Sequence, residues 1–228
     1  MYDFHAHLLP KVDHGARSVE DTARQIGLLT RYGITHAVAT PHFYPDLWNV
    51  GDFLECRRQS EELIRPLLEN TPLHVFCGAE VLISEGIDRM EGLDRLCIEG
   101  TNILLLEMPF FKWNDRLLKT VSRLCRSELC VLIAHVDRYP IKEVQKLFEM
   151  GAVGQLNCDG FSHLLRRRTY RSWIRQGFVR ALGSDIHLPD DFRPKKLGRA
   201  QRVLGESTVA ALDAWAEEKL SSATRLLP

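Results

Sequence analysis

Tyr2-Asp3-Phe4-His5-Ala6-His7-Leu8 opens the chain with a strand-like run that ends in two histidines two residues apart. Side chains two apart on a strand point to one face. The strand rise puts their Cα atoms about 6.5 Å apart, so both imidazoles can converge on one cation. The pattern of an apolar run followed by a metal-type side chain then recurs. Ala37-Val38-Ala39 precede His42, Leu73 to Cys77 precede Glu80, and Ile103 to Leu106 precede Glu107. Val131 to Ala134 precede His135, and Val179 to Leu182 lead to Asp185 and His187. Ligand-type residues that return where strands hand over to loops point to the C-terminal rim of a β/α barrel, where loops build active sites.

Strand-like segments at 2–8, 34–40, 73–79, 103–107, 130–135, 153–157 and 179–184 alternate with helical ones. Ser18 to Arg31 starts with an N-cap and first-turn acids and stops before Gly33. Asp52 to Leu68 has helical spacing, with Pro66 expected to kink or end it. Asn114 to Arg126, Ile141 to Met150, Leu164 to Gln176, Leu197 to Leu204 and Ser207 to Leu220 read as further helices. Seven strand–helix units without a linker predict an α/β chain folded as one closed barrel, a single domain over 1–228. No Gly-rich fingerprint follows the first strand, which argues against dinucleotide binding.

The 228 residues are 45% apolar and 26% charged, an ordinary globular composition. Thirty basic residues balance thirty acidic ones, which argues against a strongly electrostatic nucleic-acid or membrane partner and leaves room for a local basic rim. The one dense basic run, Arg166-Arg167-Arg168, reads as a solvated helix face or as a phosphate-attracting rim. Six cysteines without a paired spacing read as free thiols in a reducing cytoplasm. Neither a signal peptide nor a membrane-spanning run is expected.

Glu80 and Glu107 can each bridge two cations, because a carboxylate offers two oxygens. Asp185 and His187 repeat the His5–His7 spacing at the last strand, and His42 and His135 add single nitrogens. Imidazole and oxygen ligands without thiolate suit zinc, manganese or iron. Eight candidates exceed one ion's needs, so two or three divalent cations are expected. The alternative, independent buried polar residues, is costly for carboxylates at the ends of apolar strands. His36, His74 and His163 lack such company and read as structural. No cysteine has an arginine six positions on, so a cysteine-based phosphatase loop has no support.

These motifs together resemble the PHP (polymerase and histidinol phosphatase) superfamily, and within it the bacterial capsular and exopolysaccharide branch of metal-dependent protein-tyrosine phosphatases. The resemblance runs from Asp3-Phe4-His5-Ala6-His7 and Asp13-His14-Gly15, through Thr40-Pro41-His42, Gly78-Ala79-Glu80 and Glu107-Met108-Pro109, to His135, Arg138-Tyr139 and Ser184-Asp185-Ile186-His187. It implies a distorted TIM-like (β/α)7 barrel with three metals. Asp185, His5, His7 and Glu80 would hold the first, and Glu80, Glu107 and His135 the second. His42, His187 and the residue before Gly15 would hold the third. That residue is His14 here, where the family usually has aspartate. Arg138 matches a phosphate-orienting arginine, and Arg193 stands one residue later than the family's second one. The family often doubles the histidine after Thr-Pro; Phe43 follows His42 here.

The implied activity is phosphotyrosine hydrolysis in regulation of capsular or exopolysaccharide biosynthesis, by attack of a metal-bridging hydroxide in line with the leaving oxygen. The implied partner is a phosphotyrosine protein, a tyrosine kinase of a polysaccharide system. Arg138 would stabilise the phosphoryl oxygens, and His187 or Asp137 could serve as general acid. The aromatics of 43–52 would flank the substrate ring or pack over the barrel mouth. A histidinol-phosphate-type phosphatase is the nearest alternative, followed by a non-catalytic metal-stabilised scaffold. An amidohydrolase-like C–N hydrolase is weakened by the lack of a rim lysine. Neither the oligomeric state nor the native metal is legible.

Overall fold

The computed structural model describes residues 1–221, 223 and 226; residues 222, 224, 225, 227 and 228 of the expected 1–228 domain lie outside the described residues. The strands are β1 (Tyr2–Ala6), β2 (His36–Ala39), β3 (His42–Phe43), β4 (His74–Cys77), β5 (Glu80–Leu82), β6 (Ile103–Glu107), β7 (Cys130–Ile133), β8 (Val153–Asn157) and β9 (Val179–Gly183). The helices are α1 (Val19–Arg31), α2 (Val50–Leu68), α3 (Asp115–Cys125), α4 (Ile141–Glu149), α5 (Arg167–Arg175), α6 (Pro194–Leu204) and α7 (Glu206–Leu220).

Every strand pairing is parallel, in two sheets ordered β1-β2-β4 and β3-β5-β6-β7-β8-β9. Seven of the nine segments fall within the seven expected strands; β3 and β5 lie beyond the expected ends at residues 40 and 79, where the wall continues past a break. Pro41, which has no N–H to give a ladder, separates β2 from β3, and Gly78-Ala79 separate β4 from β5. Hydrogen bonds carry the wall across both breaks: Gly78 N–H donates to Ala39 O (2.9 Å) and Glu80 N–H to Pro41 O (3.0 Å). The ring closes where Asp185 N–H donates to His5 O (2.7 Å) and His7 N–H to Ile186 O (2.9 Å). This is the distorted β/α barrel the sequence resembles. Below the closure β1 and β9 are not laddered. The buried Asp3 carboxylate spans the seam instead, accepting from Ser184 N–H (2.9 Å) and His5 N–H (3.1 Å).

One apolar layer lies inside the ring. Phe4, Val38, Phe76, Ile103, Leu105, Leu132 and Ala181 form it from successive strands, and Ala216 and Leu220 of α7 complete it. Trp215 packs on Phe4 at 5.5 Å, and Tyr2 N–H donates to Asp213 of α7, so α7 caps the end where the strands begin. The larger layer joins the outer strand faces (Ala37, Val75, Leu104, Leu106, Val131, Ile133) to the helices. Burying each large side chain stabilises the fold by about 1.5–3 kcal/mol.

Side chains of Ser18, Asn49 and Asn114 cap α1, α2 and α3 by accepting from Asp21, Asp52 and Leu117 N–H. Pro66 is carried inside the last turn of α2, which ends at Leu68. Leu164–Arg166 form a 3₁₀ turn, so α5 begins at Arg167 and not at Leu164. Leu197 lies one turn inside α6, whose first residue is Pro194.

Candidate metal centre

Both histidines of the opening motif reach the barrel mouth because of close backbone approaches. A Cβ on Gly183 would lie 2.7 Å from His5 Cβ, and one on Gly15 would lie 2.4 Å from His7 Cβ. The two positions leave room only for glycine. His135 (φ 30°) and Asp185 (φ 53°) adopt the left-handed backbone region, which non-glycine residues rarely enter. Such strain persists where surrounding structure enforces it and clusters at functional sites. Here it turns both side chains from the strand ends into the mouth.

Hydrogen bonds at the back of three imidazoles fix their tautomers. His135 N–H donates to Gln155 Oε1 (2.7 Å), which makes that atom an acceptor. His5 Nδ1, 3.1 Å from the same oxygen, therefore carries the hydrogen. His7 Nδ1 donates to Asp13 Oδ2 (2.7 Å), and His187 Nδ1 to the Asp185 carbonyl (3.1 Å). In each ring this leaves Nε2 facing the mouth, and its lone pair can bind a metal once any second proton is lost.

These lone pairs converge with buried carboxylates. His5 Nε2 and His7 Nε2 are 3.2 Å apart. Glu80 Oε2 lies 3.0 Å from the first and 3.4 Å from the second; Asp185 Oδ1 lies 3.5 and 3.4 Å from them. Two nitrogen lone pairs at that separation repel unless a proton or a cation lies between them. Glu80 Oε2 is also 3.1 Å from His42 Nδ1, and Glu80 Oε1 is 2.9 Å from His135 Nε2. Glu107 stands 3.7 Å from His42 and 3.6 Å from His135. Glu80 Oε2, Asp185 Oδ1 and His42 Nδ1 are buried without a hydrogen-bond partner among the described residues. Three groups of ligand atoms close enough to share an ion result: His5, His7 and Glu80; His42, Glu80 and Glu107; and His7, His42 and His187. A donor set this rich in acceptors and poor in hydrogens fits divalent cations.

His42 thus stands between two groups, beside Glu80 and Glu107 as well as beside His187. His14 is exposed, its ring 4.7 Å from that of His42 and 4.6 Å from that of His187. Asp13 is engaged elsewhere: besides His7 it accepts from Gly15 N–H (2.8 Å) and His42 N–H (2.8 Å).

Burial opposes charge throughout the cluster, and the partners decide which groups ionise anyway. Burial would raise Glu80 and Asp185, but the neighbouring imidazoles, joined for Asp185 by Arg138, hold both carboxyls well below their usual range. Burial would lower His7 and His135. The carboxylates of Asp13, Asp185 and Glu80 around it instead raise His7 well above its ordinary value, and those of Glu107 and Glu80 raise His135 to about 9. Burial prevails at His42 and His187, held neutral with pKa values of about 3 and 4.

Arg138 donates to Asp185 Oδ2 from a half-exposed position at the mouth. Arg193 is exposed, at the N-cap of α6, and its guanidinium donates to the carbonyls of Asp190 and Phe192. Both line a cavity of about 320 Å³ that Asp185, His187 and Asn157 also border. Asp137, a candidate acid by sequence, is turned away. Its Oδ1 accepts from Asn157 N–H (2.9 Å), and its side chain packs against Gly160. The rings of His36 and His74, on β2 and β4, pack at a tilt 4.9 Å apart, and His163 is exposed beyond β8.

Two features escaped sequence reasoning. Gln155 and Asn157 link the far sides of the cluster: Gln155 Nε2 donates to Asn157 Oδ1 (2.9 Å), and Asn157 Nδ2 to Asp185 Oδ2 (3.0 Å). The available signal was a pair of amides two apart in a strand that a parallel sheet should make apolar. The other is Phe110, 67% exposed, stacked at 5.9 Å on His135. Of the aromatics expected to be exposed after His42, Phe43 is fully buried against Phe53, because it belongs to β3. Tyr44 stacks on His42 at 5.1 Å.

Residues 1–212 match the family model "Capsular polysaccharide synthesis, CpsB/CapC". The chain is 30% identical over 197 residues to the tyrosine-protein phosphatase YwqE of Bacillus subtilis (strain 168), covering 82% of this chain and 77% of that protein. It is 21% identical to the tyrosine-protein phosphatase CpsB of Streptococcus pneumoniae, over 90% of each. Its structure matches a chain from the crystal structures of YwqE and CpsB, described as metal-dependent tyrosine phosphatases, with a TM-score of 0.79 at 24% identity, covering 99% and 97% of the two chains. It also matches histidinol phosphate phosphatase from Lactococcus lactis subsp. lactis Il1403, with a TM-score of 0.54 at 12% identity, covering 89% and 92%.

Proposed function

From the premise that this chain belongs to the CpsB/CapC family of capsular polysaccharide synthesis, we propose that its barrel mouth is the active site of a metal-dependent tyrosine-protein phosphatase. The observation that carries the reading is the convergence of His5 and His7 Nε2 on each other and on the buried Glu80 and Asp185 carboxylates.

In this reading His5, His7, Glu80 and Asp185 hold one divalent cation, and Glu80, Glu107 and His135 a second. His42 and His187 hold a third, with His14 beside them. Manganese, iron and zinc all suit these ligands. Bound cations supply Lewis acidity, which lowers the pKa of water and neutralises charge on phosphoryl oxygens. The protein supplies the rest. Asp13 and Gln155 hold His7 and His5 in the required tautomers. Arg138, tethered to Asp185, presents its remaining N–H groups to the phosphate, where a planar fork can make two parallel bonds. Arg193 joins it from the first turn of α6.

His187, held neutral with Nδ1 donating to the Asp185 carbonyl, has no proton at Nε2 to give the leaving group. A tyrosyl leaving group departs as phenolate, with an ordinary pKa near 10, and needs little protonation. The thiols take no part: burial raises all six cysteines above their usual range, which leaves no thiolate nucleophile. The substrate is a phosphotyrosine protein, and we assign it to a tyrosine kinase of the polysaccharide system, acting in the cytoplasm.

The second reading is hydrolysis of a small alkyl phosphate, since a histidinol phosphate phosphatase shares the fold. Phe110 and Tyr44 favour the aryl ester. Their rings lie on the outer faces of His135 and His42, where a phenyl group can stack. The test compares metal-restored protein on a phosphotyrosine peptide and on histidinol phosphate. The aryl ester is expected to have the higher kcat/KM, and failure to hydrolyse any aryl phosphate would refute the reading.

A further inference from the structure

Among the described residues, the large exposed apolar side chains are Leu47, Leu63, Phe110, Phe111, Leu164, Leu165 and Phe178. All but Leu63 and Phe178 sit on loops at the mouth end of the barrel. Leu164 and Leu165, 71% and 96% exposed, form the tip of the turn between β8 and α5. The segment from Gly160 to Ser184 carries six arginines and no acid, in a chain whose net charge is zero. Helix α5 buries Tyr170 and Trp173 in the fold and leaves Arg168, Arg171 and Arg175 exposed, the first two in the turns that follow the leucine tip.

The tip is fixed in place. Arg166 donates to Asp137 O (2.8 Å) and Arg167 to Phe161 O (2.7 Å). On the other side of the 136–139 turn, Phe110 packs on Tyr139 at 5.8 Å, and Phe111-Lys112 project beyond it. That second loop is anchored by buried Trp113, whose Nε1 donates to Pro109 O (2.8 Å). The loops on either side of the 136–139 turn therefore both expose apolar side chains next to a cation.

We propose that the Leu164–Leu165 tip and its arginines, with Phe111 beside them, form a docking surface for an anionic lipid membrane, which turns the barrel mouth toward the bilayer. An acidic peptide would engage the arginines and leave both leucines in water. An anionic bilayer takes both, with headgroups against the guanidinium groups and the acyl boundary around the leucines. The surface is independent of the reaction, because none of these side chains belongs to the metal cluster.

The test is sedimentation of the full chain with phosphatidylcholine vesicles, and with vesicles containing phosphatidylglycerol. Retention is expected on the anionic vesicles only, reduced by salt. Leu164→Ser/Leu165→Ser should weaken retention on the order of tenfold or more per leucine, and Arg168→Glu/Arg171→Glu about fivefold per arginine or more. Hydrolysis of a soluble aryl phosphate and the Tm should stay unchanged in both variants, which separates docking from misfolding. Absence of retention on anionic vesicles, or equal retention of the double-serine variant, overturns the proposal. Capture of a soluble acidic peptide through the same leucines, without lipid retention, assigns the patch to a protein partner and overturns it as well.

Discussion

The floor and the rim of this barrel are built by the same strands under opposite rules. Toward the floor, Phe4, Val38, Phe76, Ile103 and Leu132 close on α7 as a dry apolar plug. One to four residues further along, the chain delivers His5, His42, Glu80, Glu107 and His135, which are also buried but crowd lone pairs and negative charge together. Each floor contact stabilises the fold. The rim, without its cations, is a set of mutually opposed groups satisfied only by protons shared among them. Fold and function therefore occupy successive levels of one strand set, and mutations at the two levels should separate stability from catalysis.

The sharpest separation is expected from Glu80→Gln. Glu80 faces four imidazoles, so its loss should lower kcat/KM for an aryl phosphate by about a thousandfold or more and strip metal from the protein. The metal-free protein should stay folded and lose at neutral pH only the stability that the ionised carboxylate lends through its imidazole partners. A collapsed Tm would show that the rim is structural after all. Phe76→Ala on the floor should do the reverse. Denaturant unfolding should register a loss of about 3–5 kcal/mol, while the folded fraction keeps its metal content and turnover.

Asp13→Asn is milder. Removing the carboxylate that sets the His7 tautomer should weaken metal affinity about 10- to 100-fold, measured by competition with a chelator. Unchanged affinity would place Asp13 outside the support of the site.

The pH response follows from the direction of the shifts. His135, raised to about 9 from 6.5, contributes stability to the metal-free protein that is fully present below pH 6.5 and lost as pH rises through 9. Glu80 and Asp185, held low, contribute stability present above their ordinary values and lost in acid. Because His7 and His135 are protonated at pH 7 without metal, adding metal should release protons into a weakly buffered solution, and metal affinity should fall as pH drops. Absence of proton release would mean that the imidazoles are already neutral. The smallest effect is expected from thiol alkylation, which should leave turnover within about twofold.

Much of this was legible in the sequence because it rests on short periodicities. The seven apolar runs became the barrel wall, and the ligand-type residues after them meet in one mouth, as His5–Glu80 and His135–Glu80 contacts attest. What was not legible depends on non-local geometry. Pro41 and Gly78 divide two strands, which shifts Phe43 from the rim into the core. The left-handed turns at His135 and Asp185 are imposed by tertiary closure, for which single residues carry no signal. Asp137 read as a possible general acid and is turned away from the site, because Asn157 N–H and Gly160 hold it. Phe110 lay in a loop whose aromatics could equally have packed inward, as Trp113 does.

The central claim is that the crowded rim is a cation cage on which turnover depends. Elemental analysis paired with aryl phosphate hydrolysis, before and after chelation and again after metal is restored, tests it most directly. The account predicts divalent metal in the active protein, turnover abolished with its removal and recovered with its return. Undiminished hydrolysis by fully stripped protein would contradict it.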